Sequence, residues 1–126
     1  MFELSVTAQF SGAHHLKGHD GPCGKLHGHN WEVEVFVRGA KLDEIGMLAD
    51  FSKLKTALRE VLERLDHSDL NEVGALAGAN PTSENLAKHV YCELSGMLDC
   101  PRYAVSRVRV SETQGTSASY TPERGA

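Results

Sequence analysis

The residues with the clearest chemical potential lie in one short run. Cys23, His27 and His29 fall within seven residues, directly before a segment that reads as a strand. Side chains on a strand alternate between its faces, so His27 and His29 point the same way. Imidazole is a common zinc ligand, and a third ring nearby would complete a three-nitrogen site that leaves one tetrahedral position open. The run therefore predicts a catalytic Zn²⁺ site.

A candidate third ligand lies upstream, where His14 and His15 end another strand-like run. Pairing of the two strands would bring the histidines together. If the first strand continues, His14 and His15 point to opposite faces, so only one of them can join the site. The spacing alone does not decide which one does.

Cys23 has loop-forming neighbours, since Gly21, Pro22 and Gly24 surround it. A lone cysteine is most often a small buried hydrophobe, but this setting predicts a thiol that solvent can reach. A zinc ion and a nearby imidazolium favour the thiolate, which could accept a carbon-bound proton. In the alternative, Cys23 is a fourth ligand that closes a structural zinc site.

Two further polar features could do chemistry. Asp66 precedes His67, and an aspartate beside a histidine can fix its tautomer and raise its basicity, although such pairs also occur by chance in loops. Glu112 follows Val108 and Val110 on an apolar face, so it should point inward. A buried carboxylate needs donors, which either a substrate or a structural salt bridge would supply.

The strands that position these groups follow from a period of two in hydrophobicity. Apolar and polar residues alternate over residues 2–10 and again over residues 31–37, and these two segments should pair antiparallel. Residues 47–50 could extend the second strand after a turn. Residues 105–110 and 117–120 read as a closing hairpin.

Two helices lie between these strand pairs. The first has its apolar positions at helical spacing, with Asp50 or Ser52 as its cap: Phe51, Leu54, Leu58, Val61, Leu62 and Leu65. The second opens at Asn80-Pro-Thr-Ser-Glu, where Thr82 or Ser83 can cap it. The order ββααββ predicts an α+β fold with a four-stranded antiparallel sheet and both helices on one face. Its open edges favour closure into a barrel between subunits.

Composition bounds the class of protein. The 126 residues, 40% apolar and 24% charged, fit a single domain over residues 1–126. A net charge of -4 argues against a nucleic-acid or anionic-membrane partner. There is no apolar run near the ~20 residues of a spanning helix, and no secretion signal at the start of the sequence. We expect a cytoplasmic protein that acts on a small molecule, with its three cysteines reduced.

A series of motifs resembles the 6-pyruvoyltetrahydropterin synthase family, in the family's order and over essentially the whole chain. They are Phe10-Ser-Gly-Ala-His14, Cys23-Gly-Lys-Leu-His27-Gly-His29-Asn30, Asp50-Phe51, Leu65-Asp66-His67, Asn80-Pro81-Thr82-Ser83-Glu84-Asn85 and Ser111-Glu112-Thr113. The three-residue gap between Cys23 and His27 resembles the bacterial branch, the 6-carboxytetrahydropterin synthases of queuosine biosynthesis. The resemblance implies the tunnelling fold, zinc, and trimers that assemble into a homohexamer.

The resemblance also implies roles for individual residues. The zinc ligands would be His14, His27 and His29. The catalytic proton relay would be Cys23, Asp66 and His67, with the last two commonly supplied by a neighbouring subunit. Glu112 would anchor the pterin, and Thr82 and Ser83 would add contacts to it, a role that helix capping by the same residues does not exclude.

The reaction implied is the conversion of 7,8-dihydroneopterin triphosphate to 6-carboxytetrahydropterin, acetaldehyde and triphosphate, with no nicotinamide or flavin. Two alternatives stay open. A 6-pyruvoyltetrahydropterin synthase would eliminate triphosphate and keep the side chain, whereas a non-enzymatic module would use zinc only to staple two strands.

Overall fold

The computed structural model describes residues 1–19, 21, 24–76 and 79–123. The chain forms, in order, β1 (Phe2–His14), β2 (His27–Gly39), α1 (Phe51–Glu63), β3 (Ser68–Asp69), α2 (Ser83–Leu98), β4 (Ala104–Ser111) and β5 (Ala118–Tyr120). Two short 3-10 turns, Leu70–Glu72 and Gly74–Leu76, connect β3 to α2. The α+β prediction is confirmed.

The sheet has the strand order β3-β1-β2-β4-β5. Four of these strands pair antiparallel, as predicted. The fifth, β3, was not predicted, and it pairs parallel to Gly12 and Ala13 of β1, so the sheet is mixed. A strand of two residues carries no alternation of hydrophobicity, and therefore no periodic signal in the sequence.

Both helices pack their apolar stripes on one face of the sheet. Their buried residues share a core with inward-facing strand residues such as Trp31, Val35 and Val108. The predicted caps form: the Asp50 side chain accepts a hydrogen bond from the Ser52 N–H, and Thr82 caps α2. These caps satisfy backbone donors that a helix start leaves free.

Residues 47–50 do not extend β2, contrary to the prediction. The Asp43 carboxylate accepts hydrogen bonds from the Ile45 and Met47 N–H groups, at 3.0 and 2.9 Å. The Asp43 N–H in turn donates to the Met47 carbonyl at 2.8 Å. This turn chemistry closes a compact loop instead of a strand.

The outer edge of β1 is open over most of its length. On that side β3 pairs with Gly12 and Ala13 alone, so residues 2–11 face no strand within the described residues. An unpaired edge presents backbone N–H and C=O groups that another chain can pair with. Within the same residues, no helix is both long enough and apolar enough to cross a membrane.

Candidate metal centre

The pairing of β1 with β2 brings three histidines together. His14 lies directly opposite His27, and His29 lies opposite Gly12. The ligand atoms of His14, His27, His29 and the Glu112 carboxylate all lie within 4.8 Å of one another. The structure therefore gathers the three predicted ligands at the end of the sheet, and adds a carboxylate to them.

Hydrogen bonds define the tautomers of two of these rings. His14 Nδ1 lies 2.7 Å from the Pro81 carbonyl oxygen, and His27 Nδ1 lies 2.7 Å from that of Lys25. A carbonyl only accepts, so each Nδ1 carries the proton and each neutral ring has its lone pair on Nε2. The two Nε2 atoms are 3.0 Å apart. Two lone pairs this close require a proton or a cation between them.

The third ring is also ready to act as a ligand. His29 Nε2 is buried and makes no hydrogen bond of acceptable geometry with any described residue, although Glu112 Oε1 lies 2.7 Å away. Burial lowers the pKa of the His29 imidazole, and the two neighbouring rings add to this effect against the opposing charge of Glu112. The neutral ring is the form that binds a metal.

Glu112 is the residue whose contacts the sequence did not reveal. Its Oε1 lies 3.2 Å from His14 Nε2 and 3.9 Å from His27 Nε2. Alternation along β4 places it on the inner face, as predicted, but its contact with the histidines depends on the register of β4 against β2. Because Glu32 pairs with Ser111, the next residue reaches the histidine end of the sheet. Three imidazole nitrogens fit a transition metal such as zinc, and the Glu112 carboxylate lies within reach of the same position.

An apolar floor supports the cluster. The Trp31 ring meets those of His14 and His29 edge-on, with ring centroids 4.9 and 5.3 Å apart. Trp31 is itself held, because its Nε1 donates to the Gly12 carbonyl at 3.1 Å and its ring stacks on Phe10. Packing of this kind restricts the rotamers of the ligands.

Asp66 and His67 lie in the turn between α1 and β3. Asp66 Oδ1 accepts a hydrogen bond from the Ser11 N–H at 2.8 Å, and Oδ2 lies 3.0 Å from His67 Nδ1. The bond from Ser11 lowers the pKa of the Asp66 carboxyl. His67 has a positive φ of 54°, which is uncommon outside glycine. It shares the wall of a surface cavity of about 490 Å³ with His29.

The remaining predicted residues are Thr82 and Ser83, which lie at the start of α2, and Cys23. Thr82 Oγ1 accepts from the Asn85 N–H at 3.1 Å, and Ser83 begins the helix. Both directly follow Pro81 in the sequence, and the Pro81 carbonyl contacts His14 of the cluster. Cys23 falls outside the described residues. Its role, like the substrate contacts of Thr82 and Ser83, stays a prediction.

Comparison with known proteins gives a consistent set of relatives. The family model described as 6-pyruvoyl tetrahydropterin synthase matches residues 3–123. A putative 6-carboxy-5,6,7,8-tetrahydropterin synthase of Archaeoglobus fulgidus is 40% identical, over 88% of each chain. The 6-carboxy-5,6,7,8-tetrahydropterin synthase of a Synechocystis species is 35% identical, over 98% of this chain and 96% of its own. The solved structure of Caenorhabditis elegans 6-pyruvoyl tetrahydropterin synthase superposes with a TM-score of 0.85 at 29% identity, covering 97% of this chain and 96% of that one.

Proposed function

Because this chain belongs to the 6-pyruvoyl tetrahydropterin synthase family, we propose that it is a zinc-dependent 6-carboxy-5,6,7,8-tetrahydropterin synthase. It converts 7,8-dihydroneopterin triphosphate and water to 6-carboxytetrahydropterin, acetaldehyde and triphosphate, in 7-deazaguanine and queuosine biosynthesis. The names of the A. fulgidus and Synechocystis relatives support this choice of product. So does the three-residue gap between Cys23 and His27.

The observation that carries the proposal is the convergence of the imidazole lone pairs. The Nδ1 atoms of His14 and His27 face carbonyls, so in the neutral rings the lone pairs of the two Nε2 atoms point at each other. A bound zinc would satisfy them and, as a Lewis acid, would lower the pKa of substrate hydroxyls. The geometry is better suited to holding a dication than to stapling two strands that the sheet already pairs.

The protein groups we assign to proton transfer are Cys23, Asp66 and His67. Cys23 takes a carbon-bound proton from the substrate side chain, and His67 exchanges protons with the reacting atoms. Asp66 orients the His67 ring, and the Ser11 N–H holds Asp66 in place. The pterin ring gains the electron pair that the side chain loses, so no nicotinamide or flavin is needed.

We assign the pterin contacts to Glu112, Thr82 and Ser83. The Glu112 side chain is 31% exposed, so a ligand can reach it from solvent. A carboxylate can accept two parallel hydrogen bonds from the amino and ring N–H groups of a pterin. Glu112→Gln keeps the size and removes the charge. Because Glu112 anchors the pterin in this proposal, Glu112→Gln loses one charge-assisted hydrogen bond to the substrate. The KM of this variant should rise about 10-fold, and its bound zinc should be unchanged. Loss of zinc at unchanged KM would make Glu112 a metal ligand instead.

The active form we propose is a homohexamer, a dimer of trimers, in the cytoplasm. The open edge of β1 supports pairing between copies. The exposure of His67 supports an active site that a neighbouring copy completes. Sedimentation equilibrium tests the assembly, and a monomer at micromolar concentration would contradict it.

Product identification tests the function. Zinc-loaded protein and 7,8-dihydroneopterin triphosphate should give acetaldehyde and 6-carboxytetrahydropterin by mass spectrometry. An intact pyruvoyl product would instead establish 6-pyruvoyltetrahydropterin synthase, the second candidate, which the likeness to the C. elegans structure favours.

Cys23→Ala should abolish turnover and keep the zinc. If turnover is unchanged in this variant, Cys23 is not the base.

A further inference from the structure

Two asparagine side chains hold the segment that follows the metal ligand His14. Asn71 Oδ1 accepts from the His15 N–H at 2.9 Å, and its Nδ2 donates to the His15 carbonyl at 3.0 Å. Asn80 does the same for Lys17, with both distances 2.9 Å. Each amide thus satisfies a backbone N–H and C=O pair, as a neighbouring strand would do.

Asn80 differs from Asn71 in what its own backbone holds. The next residue is Pro81, whose carbonyl accepts from His14 Nδ1 at 2.7 Å. The Asn80 carbonyl accepts from Asn85 Nδ2 and from the Thr82 N–H, each at 2.8 Å. The Asn80-Pro81 dipeptide is therefore held by the loop on one side and by the start of α2 on the other.

We propose that Asn80 is a positioning residue for His14, acting through the Pro81 carbonyl. Its side chain fixes the dipeptide, the Pro81 carbonyl holds the proton on His14 Nδ1, and the lone pair of Nε2 stays directed at the metal position. This rests on the proposed metal site. Partners of this kind fix the tautomer and orientation of ligating histidines in other metal sites.

A purely structural role for Asn80 makes a different prediction. An amide that only anchors a loop would cost stability when removed, but it would leave the tautomer of His14 unchanged. Asn71 is the matched comparison, because it makes the same pair of bonds one residue from His14 and has no chain link to Pro81. Ser95→Ala supplies the control for loss of stability. It removes the bond from Ser95 Oγ to Asp99 Oδ2 at the far end of α2.

The experiment measures the ¹⁵N shifts of the His14 ring in metal-free protein at a pH of about 8.5, above the ordinary imidazole range. The wild type, Asn71→Ala and Ser95→Ala should show the proton on Nδ1 alone. Asn80→Ala should show a mixture of tautomers. Zinc affinity, measured by chelator competition, should fall about 10-fold in Asn80→Ala, the lower end of the range for outer partners of ligating histidines. It should fall less in Asn71→Ala.

Asn85→Ala tests the same claim should Asn80→Ala fail to fold. It removes the bond from Asn85 Nδ2 to the Asn80 carbonyl and leaves the Lys17 bonds in place, so it should also mix the tautomers. A single Nδ1 tautomer in both variants would overturn the proposal, as would a loss of zinc affinity in Asn71→Ala equal to that in Asn80→Ala. The tautomer needs neither zinc nor turnover, so failure of the proposed function would be seen separately.

Discussion

His14 and His67 differ widely in exposure, at 1% and 81% of the side chain. The backbone carbonyl of Pro81 and the ring of Trp31 hold His14 in place. His67 has the Asp66 carboxylate as its partner, on a turn with a positive φ. A metal ligand needs a fixed direction, whereas a proton carrier needs access to solvent and substrate. The two settings match the two roles we assign.

The largest effect should come from breaking the buried cluster. His27→Ala removes one imidazole from the site and leaves His14 Nε2 without its close neighbour. Zinc affinity should fall at least about 100-fold, beyond the usual loss for a mere outer partner, as chelator competition would measure. His89→Ala removes a half-buried histidine on α2, away from the cluster, and should keep the affinity of the wild type. Equal zinc binding in His27→Ala and the wild type would exclude this cluster as the metal site.

Removal of the exposed His67 side chain should lower turnover without loss of metal. His67→Ala should lower kcat by about 100-fold, the lower range for general acid–base groups, and leave bound zinc unchanged. Because the ring is exposed, added imidazole should restore part of the rate. A variant that loses zinc, or that keeps full turnover, would remove His67 from the proton relay.

Substitution of Thr82 tests the segment that supports the buried His14, because Thr82 directly follows Pro81. Thr82→Ala removes the cap of α2 and should lower the free energy of unfolding by about 1 kcal/mol, measured by urea denaturation. Thr82→Ser keeps the hydroxyl and should stay close to the wild type. If both variants lose the same stability, the cap is not the cause. A raised KM in Thr82→Ala alone would support its proposed contact with the pterin.

The smallest effect concerns the pH dependence of Asp66. Its pKa in the folded protein lies below the ordinary value of 3.8, because the Ser11 N–H donates to the ionised form. The stabilisation is therefore present above about pH 4 and is lost as the pH falls through the lowered pKa. Urea denaturation should show Asp66→Ala less stable than the wild type at pH 6, with the gap closing towards pH 2. A gap that does not change with pH would contradict this origin.

The sequence predicts the parts of this molecule that have a period or a cap. Alternation in β1 and β2 gives both strands and places His27 and His29 on one face, and the caps at Asp50 and Thr82 mark both helix starts. Alternation along β4, continued by one residue, places Glu112 on the inner face. These features depend on neighbours in the chain, so local chemistry is sufficient to find them.

The features that the sequence does not predict depend on contacts between residues far apart in the chain. β3 is too short for a period, and the Asp43 loop uses side-chain bonds that hydrophobicity does not reflect. The approach of Glu112 to the histidines depends on the register between β2 and β4, and the carbonyl that orients His14 comes from a residue 67 positions away. No local sequence pattern indicates either of these long-range contacts.

An anomalous difference map at the zinc edge, from crystals of zinc-loaded protein, would decide whether these histidines bind the metal. We expect one peak about 2.0–2.1 Å from the Nε2 atoms of His14, His27 and His29. A map with no peak among these rings, or a metal bound through Nδ1, would contradict it.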